Sequence, residues 1–266
     1  YAAATGEPVN IKDVYSIPED APYGFDPTYD RVSGYTSRSM IAIPLRTNIG
    51  DILGVIQLIN KQSATGRAIA FNKDDELMLL HFATNATVAL QRAQMTRAIL
   101  LRMISMAELR DPKETGQHVN RVAGFAVEIY ERWATEQGFE SHEIERTKDN
   151  LRMAAMLHDV GKVAISDLVL KKPARFTAEE YETMKTHTLH GARLFVNKQS
   201  DFDELAQVVA LTHHENWDGT GYPGHVDVET GETVKQDGDG RPLGKREEEI
   251  PLFGRIVAIC DVYDAL

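Results

Sequence analysis

The chain has 266 residues, 42% hydrophobic and 26% charged, the balance of a globular protein with room for one or two cored domains. Its formal net charge of -11 argues against a nucleic-acid polymer as partner, because duplex binding needs a large basic face, but a small anionic nucleotide remains compatible wherever positive charge is supplied locally. No apolar run approaches the roughly 18 residues of a membrane span, no basic-then-apolar leader opens the chain, and the single cysteine, Cys260, has no internal disulfide partner, so the expectation is a cytoplasmic protein.

Gly and Pro punctuate everything before Met40. Met40 to Leu45 and Ile52 to Asn60 are apolar runs of strand length joined by residues 46–51, which reads as a β-hairpin in a mixed α and β region. From Lys73 to Arg110 there is neither Gly nor Pro, and at about 1.5 Å per residue one helix of up to roughly 57 Å is expected. Asn72 is its candidate N-cap, with Asp74 and Asp75 favourable in the first turn. Met95, Ile99, Met103, Met106 and Leu109 form a seam that fits either a coiled coil between two copies of the chain or a face packed on its own domain.

Beyond that helix, histidines and acids recur where helices are expected to face one another: Glu114 and His118, His158 and Asp159, His187, His213 and His214, and Asp261. Glu114 and His118 are four apart and stack on one helix face, which continues through Val122, Phe125, Ile129 and Trp133 as an apolar stripe turned to a core. His158 follows Leu151 and Ala154 in the same register, with Gly161 as a helix stop. His213 continues Leu205 and Val209, and His187 shares a face with Met184, Gly191 and Leu194. A lone histidine on an apolar face is usually a hydrogen-bonded core residue. Five histidines and three acids in matched helical phase read instead as a polynuclear metal cage, delivered by separate helices. His81, His142, His190 and His225 lack such a pattern and are set aside as non-ligands.

These residues resemble a known family. His118, His158-Asp159 and Asp261 are similar to the H…HD…D ligands of the HD phosphohydrolase superfamily, and residues 213–223 (HHENWDGTGYP) to the signature of its HD-GYP branch. The resemblance implies a metal-dependent phosphodiesterase that hydrolyses cyclic di-GMP to pGpG, and onward to GMP. It implies two or three divalent ions, with Asp159 as the bridging carboxylate and Glu114 marking the three-metal variety. Paired ions answer the chemistry, since they lower the pKa of water and clamp the oxygens of a poor leaving group. Imidazole and carboxylate without thiolate suit iron or manganese, and zinc stays open. Lys162, one turn past Asp159, is the candidate donor to a phosphate oxygen. Tyr222 borders the nucleotide by resemblance, and Glu215 and Asp218 are candidates for orienting ligands. Other cyclic dinucleotides such as cyclic GMP-AMP remain alternatives, as does a non-catalytic receptor.

Asn60-Lys61, Phe71 and Asp75-Glu76 resemble the spaced N-K…F-x-x-x-D-E pattern of nucleotide-binding GAF domains. The expected organisation is therefore the C-terminal part of an α+β GAF sensory domain over residues 1–92, a long connecting helix over 93–110, and an all-α HD-GYP helical bundle over 111–266. By resemblance both ends are cut: a whole GAF domain starts earlier, and the HD-GYP chain runs on with basic residues that help hold substrate. Residues 225–249 replace a short loop of the family; around Thr230-Gly231 they read as a small hairpin, either a lid that shapes specificity or a solvated insertion.

Overall fold

A computed structural model describes residues 1–111 and 116–266, in two compact units, Tyr1–Ile99 and Leu100–Leu266. In the first, helix α1 (Ala2–Thr5), strand β1 (Val9–Ile11), a 3-10 turn (Val14–Ser16) and helix α2 (Thr28–Ser33) precede strands β2 (Met40–Arg46) and β3 (Ile52–Ile59). The expected hairpin is present. The sheet is antiparallel in the order β1-β2-β3, with Val9 opposite Ala42 and Ile43 opposite Ile56. Alternation along β2 turns Ile41 and Ile43 fully inward, where helix α3 (Lys73–Glu108) sets Leu79 and Ala83 against them at a spacing of one helical turn.

Between sheet and helix lies a two-stranded piece, β4 (Lys61–Gln62) with β5 (Ala68–Ile69). Asn72 caps α3 as its position predicts: its Oδ1 accepts the Asp75 N–H at 2.9 Å, and the Asp75 carboxylate accepts the Asn72 N–H at 2.7 Å. Lys61 also pairs with Asp75, and Asn60 accepts the Arg38 N–H while donating to the Thr36 carbonyl. The residues of the N-K…D-E pattern thus tie strand ends to the start of α3. That helix carries the chain from the first unit into the second. Its seam is not packed on its own domain: Met95, Ile99, Met103, Met106 and Leu109 are all exposed, and the residue buried there is Ile104, against Val119, Leu157 and Val160.

The second unit is helical: α4 (Gly116–Glu136), α5 (Ser141–Met156), α6 (Asp167–Leu170), α7 (Ala178–Lys185), α8 (His187–Arg193), α9 (Asp201–Thr212) and α10 (Leu252–Ala265). Its core joins Val122, Ala126 and Tyr130 of α4, Leu151 and Ala154 of α5, Ala206 and Val209 of α9, and Val257 and Cys260 of α10. The expected stripe holds at Val122, with Phe125 and Trp133 half-buried against the same core, but the fully buried face of α4 is centred elsewhere. It runs through Val119, Val122, Ala126, Tyr130 and Ala134, leaving Ile129 39% exposed. Alanines at the contact let helices approach closely, so small residues rather than large ones mark the packed side.

Gly161 does not end a helix. It lies inside a 3-10 turn, Val160–Ala164, that packs on α8 so tightly that a Cβ at Gly161 would stand 1.9 Å from the His187 carbonyl oxygen and 2.4 Å from the Gly191 nitrogen. Both obstacles are backbone, so nothing can rotate away. Gly161→Ala is therefore expected to destabilise this unit by about 3 kcal/mol or more, beyond ordinary overpacking; urea unfolding followed by circular dichroism measures it, and a variant as stable as the parent would refute the contact.

Candidate metal centre

The four buried or nearly buried histidines sit at helix ends rather than along helix bodies. α5 closes at Met156, and His158 follows in the turn beyond its C-cap; His187 opens α8 after a break at Thr186, so it shares no helix with Met184; His213 is the C-cap of α9, and His214 comes next. His118 lies two residues after the first residue of α4. Carbonyls in the last turn of a helix have a second lone pair beyond the one that meets a backbone N–H, and the imidazoles use it. His158 Nδ1 meets the Ala155 carbonyl at 2.7 Å, His187 Nδ1 the Met184 carbonyl at 2.7 Å, and His213 Nδ1 the Val209 carbonyl at 3.0 Å. A carbonyl only accepts, so each Nδ1 carries the proton and each Nε2 presents a lone pair.

Those lone pairs converge. Asp159, His187, His213 and His214 each offer a ligand atom within 4.8 Å of the others, and His118, His158 and Asp261 form a second such group. Asp159 reaches both. Its Oδ1 lies 3.0 Å from His187 Nε2 and 3.6 Å from His213 Nε2, and its Oδ2 lies 3.3 Å from His158 Nε2. In the second group His118 Nε2 stands 3.2 Å from Asp261 Oδ1. Glu114 lies outside the described residues. His81, His142, His190 and His225 belong to neither group.

The groups fit a divalent cation on their own chemistry. With Nδ1 protonated, His187 Nε2, His213 Nε2 and Asp159 Oδ1 are three acceptors, the two nitrogens only 3.4 Å apart. Such a cluster of lone pairs is mutually repulsive until a cation sits among them. The protonation states agree: burial and the neighbouring His213 and His187 push His214 down to about 2, and burial lowers His213 as well, so both are neutral. Burial alone raises the Asp159 carboxyl, but the facing His158, His187 and His213 lower it by more and keep it ionised.

Around this centre the structure adds Asp264 and Arg121, which carried no signal of their own in the sequence, and places the expected Lys162 and Tyr222. His118 Nδ1 donates to Asp264 Oδ2 at 2.7 Å, and Arg121 holds the same carboxylate through two nitrogens. The one available clue was the spacing: Asp264 follows Asp261 by three and shares its helix face. Lys162 Nζ lies 2.7 Å from Asp159 Oδ2 and 3.2 Å from buried Asp111. Tyr222 stacks on His214 with ring centroids 4.8 Å apart, and burial raises its phenol so that it stays protonated. The turn that brings it there needs Gly221, where a Cβ would stand 2.2 Å from the Asn216 nitrogen.

Glu215 and Asp218 do not bond to the ligands. Asp218 accepts the N–H and hydroxyl of Thr220 within its own turn. Glu215 is buried, its carboxyl pushed up by that burial, and it accepts the Gly224 N–H at 2.7 Å and the Lys245 N–H at 3.2 Å. It thereby clamps both ends of the 225–249 insertion. Within the insertion the expected hairpin reduces to a single bridge, Val226 to Thr233, and Arg193 of α8 donates to the Val228 carbonyl at 2.9 Å.

Comparison with known proteins agrees with this geometry. Residues 115–266 match the HD domain family and residues 1–90 match the GAF domain. A probable cyclic di-GMP phosphodiesterase of Vibrio cholerae is 33% identical over 77% of this chain and 42% of its own length. A cyclic di-GMP phosphodiesterase of Thermotoga maritima is 37% identical over 63% of the chain and 37% of its own length. A 3'3'-cGAMP-specific phosphodiesterase 2 of Vibrio cholerae is 34% identical over 68% of the chain and 30% of its own length. The chain spans less than half the length of these relatives. None of the described helices is long and apolar enough to cross a membrane. With its histidine-aspartate centre and a family match over more than half its length, the chain belongs to the HD domain family.

Proposed function

We propose that this chain is a metal-dependent phosphodiesterase of the HD-GYP branch that hydrolyses cyclic di-GMP to pGpG and onward to GMP, in the cytoplasm and under control of its GAF module. The observation that carries the reading is Asp159, whose two carboxylate oxygens face two separate groups of histidines. Asp159, His187, His213 and His214 would hold one divalent ion and His118, His158 and Asp261 another, with Asp159 shared between them. Their nitrogen and oxygen donors suit iron or manganese. Such a pair of ions supplies positive charge against the phosphodiester and acidifies water.

The chain's own groups do the positioning. Lys162 holds Asp159 in orientation, and its ammonium, beside the carboxylates of Asp159 and Asp111, would donate to a phosphate oxygen of the diester under attack. Tyr222 offers a neutral phenol donor and a ring wall next to His214. The exposed seam Met95 to Leu109 supports a homodimer through α3. A second reading, hydrolysis of cyclic GMP-AMP, is favoured by the 34% identity to the cGAMP-specific relative.

Metal analysis with anaerobic turnover tests the first reading. The iron- or manganese-loaded chain is expected to hold two ions or more and to release pGpG faster than any product from cyclic GMP-AMP; the reverse preference would favour the second reading. Asp159→Ala is expected to lose metal from both groups and to lower turnover by about 10³-fold or more, as for residues acting within one catalytic unit. Undiminished metal content in that variant would overturn the ligand assignment. Asp264→Asn leaves His118 with a weaker partner and is expected to weaken metal binding by about 10- to 100-fold at unchanged helicity; chelator competition measures it.

A further inference from the structure

The metal groups and Tyr222 account for only the inner wall of the site. On α7, Tyr181 and Lys185 are four apart and so share a face. Tyr181 meets Tyr222 edge-on with ring centroids 6.4 Å apart, and the Lys185 ammonium lies 4.9 Å from the Tyr181 ring centroid and 5.6 Å from that of Tyr222. Since Tyr222 stacks on His214, an unbroken row of rings runs from a candidate ligand out to Tyr181, which is 45% exposed. Beyond Tyr181 the segment 173–178 forms an open hollow of 670 Å³, within the size range of small-molecule sites, and contributes Arg175 and Phe176 to its lining.

We propose that Tyr181 and Lys185 dock the half of the cyclic dinucleotide that is not being cleaved, Lys185 against its second phosphodiester and Tyr181 against its base, which extends into the 173–181 hollow. This inference rests on the cyclic-dinucleotide reading given above. Such a substrate carries two anionic diesters, and the ions that the histidine-aspartate groups would hold supply charge only to the one under attack. The other needs its own cation in a chain of net charge -11, because Lys162, beside Asp159 and Asp111, serves the diester under attack. Lys185 pairs with Glu182 at 2.7 Å, but Glu182 is on the surface with its side chain 70% exposed, and a surface pair of this kind is weak and readily exchanged for a phosphate. A cation held over aromatic faces keeps its position while doing so. Purine bases stack on exposed aromatic rings whatever their identity, so Tyr181 serves guanine and adenine alike, and Arg175 in the lining of the hollow is a group able to tell them apart.

The test compares a large and a small diester on the metal-loaded chain. For Lys185→Gln and Tyr181→Ala, the KM for cyclic di-GMP is expected to rise about tenfold or more, as for loss of one base-stacking contact, with kcat held within about twofold. Hydrolysis of bis(p-nitrophenyl) phosphate, which has a single diester and no second nucleotide, is expected to change little, and Lys185→Arg to keep KM near the parent value. An unchanged KM in both variants would overturn the docking role, as would an equal loss on both diesters. A parent chain that cleaves the small diester but no cyclic dinucleotide would remove the functional reading, and the platform with it.

Discussion

Every other feature of the centre depends on one hydrogen bond made three times: a buried imidazole Nδ1–H donated to a carbonyl in the preceding helical turn, at His158, His187 and His213. Each of these carbonyls accepts a backbone N–H and offers its second lone pair, and the histidine that uses it is thereby locked in one tautomer with its Nε2 lone pair turned away from its own helix. Three helices ending at one place then yield three converging lone pairs. Asp159 is the counterpart, a carboxylate kept ionised by the imidazoles it faces.

Convergence of that kind requires the helix ends to be close, and the packing supplies this with small residues. Ala123, Ala126, Ala154, Ala155, Ala206 and Ala210 are all essentially fully buried, so α4, α5 and α9 approach one another with little side chain between them. Gly161 and Gly191 extend the same logic to the 3-10 turn after Asp159 and the helix after His187. The backbone just after Asp159 is in direct contact with the backbone of His187 and Gly191, which sets the two side chains within reach, Asp159 Oδ1 at 3.0 Å from His187 Nε2.

Much of this was legible in residue order alone. The hairpin, the Asn72 cap and the long helix follow from local rules that need no distant partner, and the ligand types stand out because histidine and aspartate at helical spacing are rare on an apolar face. What escaped was whatever depends on a neighbour in space. On α4, Phe125 and Trp133 do pack against the core, but Ile129 is exposed and Ala126 and Ala134 are buried, because close contact favours alanines that a reader of hydrophobicity discounts. His158 reads as a helical residue because its register continues that of Leu151 and Ala154 past the point where the helix stops. Asp264 and Arg121 gain meaning only once α10 lies against α4, and Glu215 only once the chain has gone out to residue 245 and come back.

That return has a consequence for how the molecule tolerates change. One carboxylate grips the backbone at Gly224 with one oxygen and at Lys245 with the other, while the His225 N–H closes on the Leu243 carbonyl at 2.9 Å. The excursion is thus cinched at its neck, like a bag drawn shut. Its contents can lengthen, shorten or be exchanged for another segment while the histidine-bearing turn beneath keeps its shape, which makes this the natural place for the fold to acquire new surface.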